Sequence, residues 1–113
     1  MTYALIHGAG DVAWYWHLVA AELRGRGHEV LAVDLPCEDD SAGWAEYADA
    51  IVGAIGDRTH LVVVAQSLGG FTAPIVCARK PKEAWRSKRL NATIMGWGFY
   101  LFRATNGRNP QYP

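Results

Sequence analysis

The sequence predicts an α/β architecture: three αβα layers around a short parallel sheet of about three strands, followed by an irregular C-terminal tail. Three observations carry that prediction. Apolar runs of strand length occupy residues 3–6, 29–33 and 61–64. Between them lie segments with apolar residues at helical spacing, and strand alternating with helix is the order that yields parallel strands covered on both faces. Glycines stand where each of the first two helices must stop, at Gly27 and Gly56.

The elements follow in order. Tyr3-Ala4-Leu5-Ile6 is a buried strand that runs into His7-Gly8-Ala9-Gly10. Asp11 is placed to cap a helix over 13–26, with Trp16, Val19, Ala20 and Leu23 as its apolar face. A strand over 29–33 leads to a loop holding Pro36 and the acidic cluster Glu38-Asp39-Asp40. Ser41 caps the next helix, which presents Trp44, Ala48, Ile51 and Ile55 on one face. Leu61-Val62-Val63-Val64 is apolar on both faces, as a central strand is. A helix over 68–78 follows, and Pro74 within it removes a backbone donor and is expected to kink it or loosen its first turns. Right-handed crossovers put the second strand on one side of the first and the third on the other, so the loops after strands one and three meet at a switch point.

Those two loops carry the chemistry. In Ala65-Gln66-Ser67-Leu68-Gly69-Gly70 a serine follows a buried strand and precedes a helix, with small residues two positions before and after it. That is the form of a nucleophile elbow, whose sharp turn presents a hydroxyl at the carboxyl end of the sheet. The backbone N–H of Leu68 is then an oxyanion donor, and the N–H of Ala9 in the His-Gly loop is the second. His7, Gly8, Gly10 and Gln66 frame the binding site around them.

Residues 3 to about 78 resemble the N-terminal half of α/β-hydrolases, and within them the small esterase and hydroxynitrile lyase group that includes plant methylesterases. The resemblance is carried by His7-Gly8-Ala9, Ala13-Trp14-Tyr15-Trp16-His17, Gly27-His28-Glu29-Val30, Val33-Asp34-Leu35 and Gln66-Ser67-Leu68-Gly69-Gly70. It implies Ser67 as the nucleophile of a cofactor-independent serine hydrolase acting on small carboxylic esters, with Ala9 and Leu68 as the oxyanion hole. Lyases of the group typically carry threonine beside the first histidine, so Gly8-Ala9 favours ester hydrolysis over the lyase reaction.

The family order is serine, then acid, then histidine. After Ser67 this sequence has no histidine, no aspartate, and Glu83 as its one acid. Of the earlier histidines, His7 is expected to brace its loop, His17 to lie on the first helix, and His28 and His60 to sit at the opposite edge of the sheet. Asp34 ends a strand on the correct edge but is expected to brace a loop. The expectation is a weak or inactive chain; the alternative is a non-catalytic fragment or interaction protein built on the same sheet.

Charge changes at the same point. Residues 1–78 hold three Lys/Arg against ten Asp/Glu, a formal −7; residues 79–113 hold eight against one, a formal +7. The division is therefore read as 1–78, the hydrolase-like half, and 79–113, a basic and aromatic tail whose stretch 94–102 has neither a helix nor a strand period. Three readings of the tail compete: an interrupted reading frame near Arg79, a genuine tail that covers the sheet edge or pairs with another chain, and a nucleic-acid or membrane patch, the least favoured. Without a cover, the strand over 61–64 becomes an edge open to self-association.

The remaining signals exclude more than they assign. Two cysteines, Cys37 and Cys77, and no signal peptide are read as reduced thiols in a cytoplasmic setting. No metal-ligand spacing, phosphate loop or membrane-spanning run occurs, and no cofactor is expected. The tryptophans, Trp14, Trp16 and Trp44 among them, are read as packing residues.

Overall fold

The computed structural model describes residues 1–79, 89–94 and 99–105. Strands β1 (Thr2–Ile6), β2 (Glu29–Ala32) and β3 (Leu61–Gln66) form the parallel core, with β1 in the middle. Helix α1 (His17–Gly25) precedes β2, α2 (Trp44–Ile55) precedes β3, and α3 (Gly69–Arg79) follows it. Two further strands, β4 (Arg89–Ile94) and β5 (Phe99–Thr105), extend the sheet to the order β2-β1-β3-β5-β4.

Strand periodicity explains the layers. Ala4 and Ile6 point to one face with Leu61, Val63 and Ala65, and are covered by Ala48, Ile51 and Ile55 of α2 and Ala73, Val76 and Cys77 of α3. Tyr3, Leu5, Val30 and Val64 point the other way and meet Trp16, Ala20 and Leu23. The strand order β2-β1-β3 is the one that right-handed crossovers predict, so the loops leaving β1 and β3 are neighbours.

The tail reading is revised where it is described. The stretch 94–102 lacks a firm period, yet β5 pairs antiparallel with β3 from Gln66↔Phe99 to Val62↔Arg103, and β4 pairs antiparallel with β5. Strand β3 is therefore bonded on both sides, and the edges among the described strands are β2 and β4. Pairing with a preformed strand supplies the order that local pattern did not.

Several local expectations are corrected. The first helix opens with a 3-10 turn over Ala13–Trp16, and Asp11 does not cap it: among the described residues its carboxylate accepts the adjacent Val12 N–H, while Asp34 Oδ1 accepts the Ala13 N–H at 2.7 Å. Val19 is 45% exposed because Trp16, Ala20 and Leu23 already fill the inward stripe. Helix α2 begins at Trp44 with Gly43 as N-cap; Ser41 instead donates its hydroxyl to Asp39 at 2.6 Å, which holds the Asp39 carboxyl below its ordinary value. The Gly43 N–H donates to Glu46 Oε2 at 2.8 Å, which lowers the Glu46 pKa and supplies half of a capping box. Helix α3 continues through the exposed Pro74. Trp16 packs in the core as expected, but Trp14 is 70% exposed and stacks on His17 at 3.7 Å, and Trp44 is 42% exposed.

Candidate active site

Strand β3 delivers Ser67 to a turn that its own backbone strains. Ser67 has φ +52°, in the left-handed region that costs a non-glycine residue about 1–2 kcal/mol. The turn is closed by Gly70 N–H donating to Ser67 C=O at 3.0 Å and Phe71 N–H to Leu68 C=O at 3.0 Å. The serine side is exposed, while Ala65 and Gly69 on either side are buried.

The small residues at this turn have a steric cause. A Cβ on Gly69 would lie 3.0 Å from the carbonyl oxygens of Ile6 and His7 and from Ile6 Cγ2, so the turn rests on the end of β1. A Cβ on Gly8 would lie 2.4 Å from Gln66 Oε1 and 3.4 Å from Ser67 Cβ. The His-Gly loop and the elbow are therefore in direct apposition. Gly10, with φ +69°, lets the first loop turn away from the site, helped by Asp11 N–H donating to Gly8 C=O at 3.3 Å.

His7 is a brace. Its ring is buried; Nε2 accepts the Leu35 N–H at 3.0 Å, which leaves Nδ1 as the protonated nitrogen that donates to Gly8 C=O at 2.8 Å. Both nitrogens are thus committed to holding the β1 and β2 loops together. His17 Nδ1 bonds with Trp14 C=O, and His28 and His60 immediately precede β2 and β3, at the opposite edge from Ser67. Among the described residues no histidine hydrogen-bonds to the Ser67 hydroxyl. Asp34 braces the 3-10 turn, as its bond to Ala13 indicates.

Ala9 and Leu68 line one cavity of about 80 Å³, whose walls also include Leu35, Trp44, Tyr47 and Thr72. Among the described residues neither the Ala9 nor the Leu68 N–H donates to another backbone group. The pairing of loops was legible in the sequence, but the cavity behind them was not, because Cys37, Tyr47 and Thr72 belong to no motif. Tyr47 lies against Cys37, and that hydrogen bond, with burial, holds the phenol above its ordinary pKa.

A strained serine after a buried strand, facing a His-Gly loop across a switch point, has the strand-turn-helix form of the alpha/beta hydrolase class of folds. The chain belongs to the alpha/beta hydrolase family, which it matches over residues 4–111. It is 34% identical over 111 residues to the probable esterase PIR7A of Oryza sativa subsp. indica, covering 88% of this chain and 41% of that protein. To methyl jasmonate esterase 1 of Vitis vinifera it is 28% identical over 109 residues, covering 88% and 42%. A solved extracellular alpha/beta-hydrolase from a Paenibacillus species superposes with a TM-score of 0.66 at 25% identity, over 74% of this chain and 37% of that one. The chain thus spans about two fifths of the length of these relatives. Among the described residues no helix is long and apolar enough to cross a membrane, and no cluster of His, Cys, Asp or Glu has the form of a metal site.

Proposed function

We propose that this chain carries the nucleophile and oxyanion-hole half of a carboxylic ester hydrolase acting on small-molecule esters without a cofactor. The observation that carries the reading is Ser67 at φ +52°, held against Gly8. Ser67 Oγ attacks the ester carbonyl and its proton passes to the departing alkoxide as the C–O bond to the alcohol breaks; water then hydrolyses the acyl-enzyme, giving the acid and returning a proton to Ser67 Oγ. The N–H groups of Ala9 and Leu68 stabilise the negative oxygen of each tetrahedral intermediate. His7, Gly8, Gly10 and Gln66 shape the site around them.

Ser67 needs a base, and no histidine follows it in this sequence. Loss of the triad histidine costs on the order of a millionfold in turnover, while the oxyanion hole and binding retain roughly 10³–10⁴ over water. With no base among these residues, the 113-residue chain is proposed to turn over esters slowly. The second reading, a non-catalytic protein on the same sheet, is favoured by the pairing of β5 with β3: an antiparallel strand occupies the place beside the nucleophile strand. The hydrolase-like half is taken as 1–78 and the tail as 79–113, although the family match continues through the tail to residue 111. Free Cys37 and Cys77 support a reducing, cytoplasmic setting.

Hydrolysis of p-nitrophenyl acetate by the wild-type chain and by Ser67→Ala tests the reading. Slow release of nitrophenol that Ser67→Ala abolishes supports it; equal rates for the two proteins remove it and leave the non-catalytic reading.

A further inference from the structure

We propose that Cys37 is a covalent modification site for small, neutral α,β-unsaturated ketones and aldehydes, its thiol adding to the β-carbon while the Thr72 hydroxyl donates to the carbonyl oxygen. Cys37 is free and half-buried, and it lies in the wall between two hollows. One is the cavity that Ala9 and Leu68 line; the other is a cleft of about 360 Å³ between the loops that follow β1 and β2. Tyr47 of α2 hydrogen-bonds the thiol and fixes it at that wall. Thr72 is the independent sign of a ligand. It is fully buried, lines the cavity with Cys37, and its Oγ1 has no hydrogen-bond partner among the described residues. An unpaired buried hydroxyl is costly, and an acceptor carried into the cavity removes the cost.

The surroundings select the reagent. Ser67 needs a base, whereas thiols as a class are nucleophilic at neutral pH without one. Asp11, Asp34 and Glu38 line the cleft, and among the described residues none of them forms an ion pair, so the approach to Cys37 repels anions. A disulfide reagent offers Thr72 only sulfur, a weak acceptor, while a conjugated ketone brings an electrophilic carbon and a strong acceptor in one molecule. In the addition Cys37 Sγ bonds to the β-carbon, the C=C π pair passes to the carbonyl oxygen, and the thiol proton ends on the α-carbon. The adduct is the sum of thiol and ketone, with no oxidant or reductant involved. Cys77, 7% exposed in the core, is the internal comparison.

Addition at Cys37 stands apart from the esterase reading; its consequence, an adduct that fills the cavity and shields Ser67, rests on it. The full chain is treated with methyl vinyl ketone or with its carboxylate analogue 4-oxo-2-pentenoate, each rate is divided by that of the same reagent with free cysteine, and adducts are located by peptide mass spectrometry. Addition at Cys37 and not at Cys77 is expected, with the neutral reagent favoured about tenfold over the carboxylate. Thr72→Val should slow methyl vinyl ketone about fivefold, the worth of one hydrogen bond, and Thr72→Ser should restore the rate. Methyl methanethiosulfonate, which has no carbonyl, should react with Cys37 equally in wild type and Thr72→Val. Addition at Cys77 as fast as at Cys37, equal relative rates for the two ketones, or a Thr72→Val that slows neither reagent or both alike overturns the proposal. Fluorophosphonate labelling of Ser67 separates the two readings: an adduct on Cys37 with no labelling of the untreated chain counts against the esterase alone, and labelling of Ser67 without an adduct on Cys37 counts against the modification site alone.

Discussion

Replacing Gly69 with alanine tests whether the elbow is seated on β1 as closely as the geometry requires. The new Cβ meets three atoms at 3.0 Å, two of them the backbone oxygens of Ile6 and His7. Backbone at the end of a central strand cannot rotate away, so the turn itself must shift, and such overpacking costs about 1–3 kcal/mol. Alanine regains less than the ~1 kcal/mol it gains over glycine in a helix interior, because Gly69 is the first residue of α3. The net expectation is a loss of about 1–2 kcal/mol, read from urea denaturation monitored by tryptophan fluorescence. Gly8→Ala is the internal control: its shortest contact, 2.4 Å, is to the end of the Gln66 side chain, which can swing aside. Gly69→Ala must therefore cost more stability than Gly8→Ala despite its longer contacts. Equal stability for Gly69→Ala and wild type would refute the argument.

Three further outcomes follow. Ser67→Gly should be more stable than Ser67→Ala by about 1 kcal/mol in the same denaturation experiment, since only glycine adopts φ +52° without strain. Asp34→Ala should cost about 1 kcal/mol through loss of the Ala13 N–H partner, whereas Asp11→Ala should cost under about 0.5 kcal/mol; the reverse order would restore Asp11 as the cap. Burial pushes the Cys77 thiol up to about 12 from an ordinary 9.0. Its folded pKa is the higher one, so stability is intact below about pH 9 and falls toward pH 12 by about 1.4 kcal/mol per pH unit; Cys77→Ala should flatten that alkaline slope in thermal melts.

The parts of the fold legible in the sequence were those with a strong period or a steric requirement. Ala4 and Ile6, Val63 and Ala65, and Ala48, Ile51 and Ile55 are core residues because their spacing matches strand and helix, and burial follows spacing. The elbow and the His-Gly loop were legible because small residues are required where two backbones meet, as Gly69 shows. Helix starts were less legible: Asp11 and Ser41 are good caps by type, but a carboxylate from the β2 loop and a local bond to Asp39 took the two jobs. Strands β4 and β5 carry no firm periodic signal of their own, and their order comes from β5 pairing with β3 and β4 with β5. Thr72 was invisible for another reason: a lone polar residue on a buried helix face acquires meaning only from the cavity beside it.

Covalent labelling of Ser67 tests the central claim most directly, because it reads the nucleophile without requiring a complete turnover cycle. The full chain is incubated with a fluorophosphonate and its modified peptide identified by mass spectrometry. The account predicts slow, single-site modification at Ser67, absent in Ser67→Ala and slower in Gly69→Ala, where the turn is displaced. Modification that persists in Ser67→Ala, or that falls on residues away from the elbow, would contradict it.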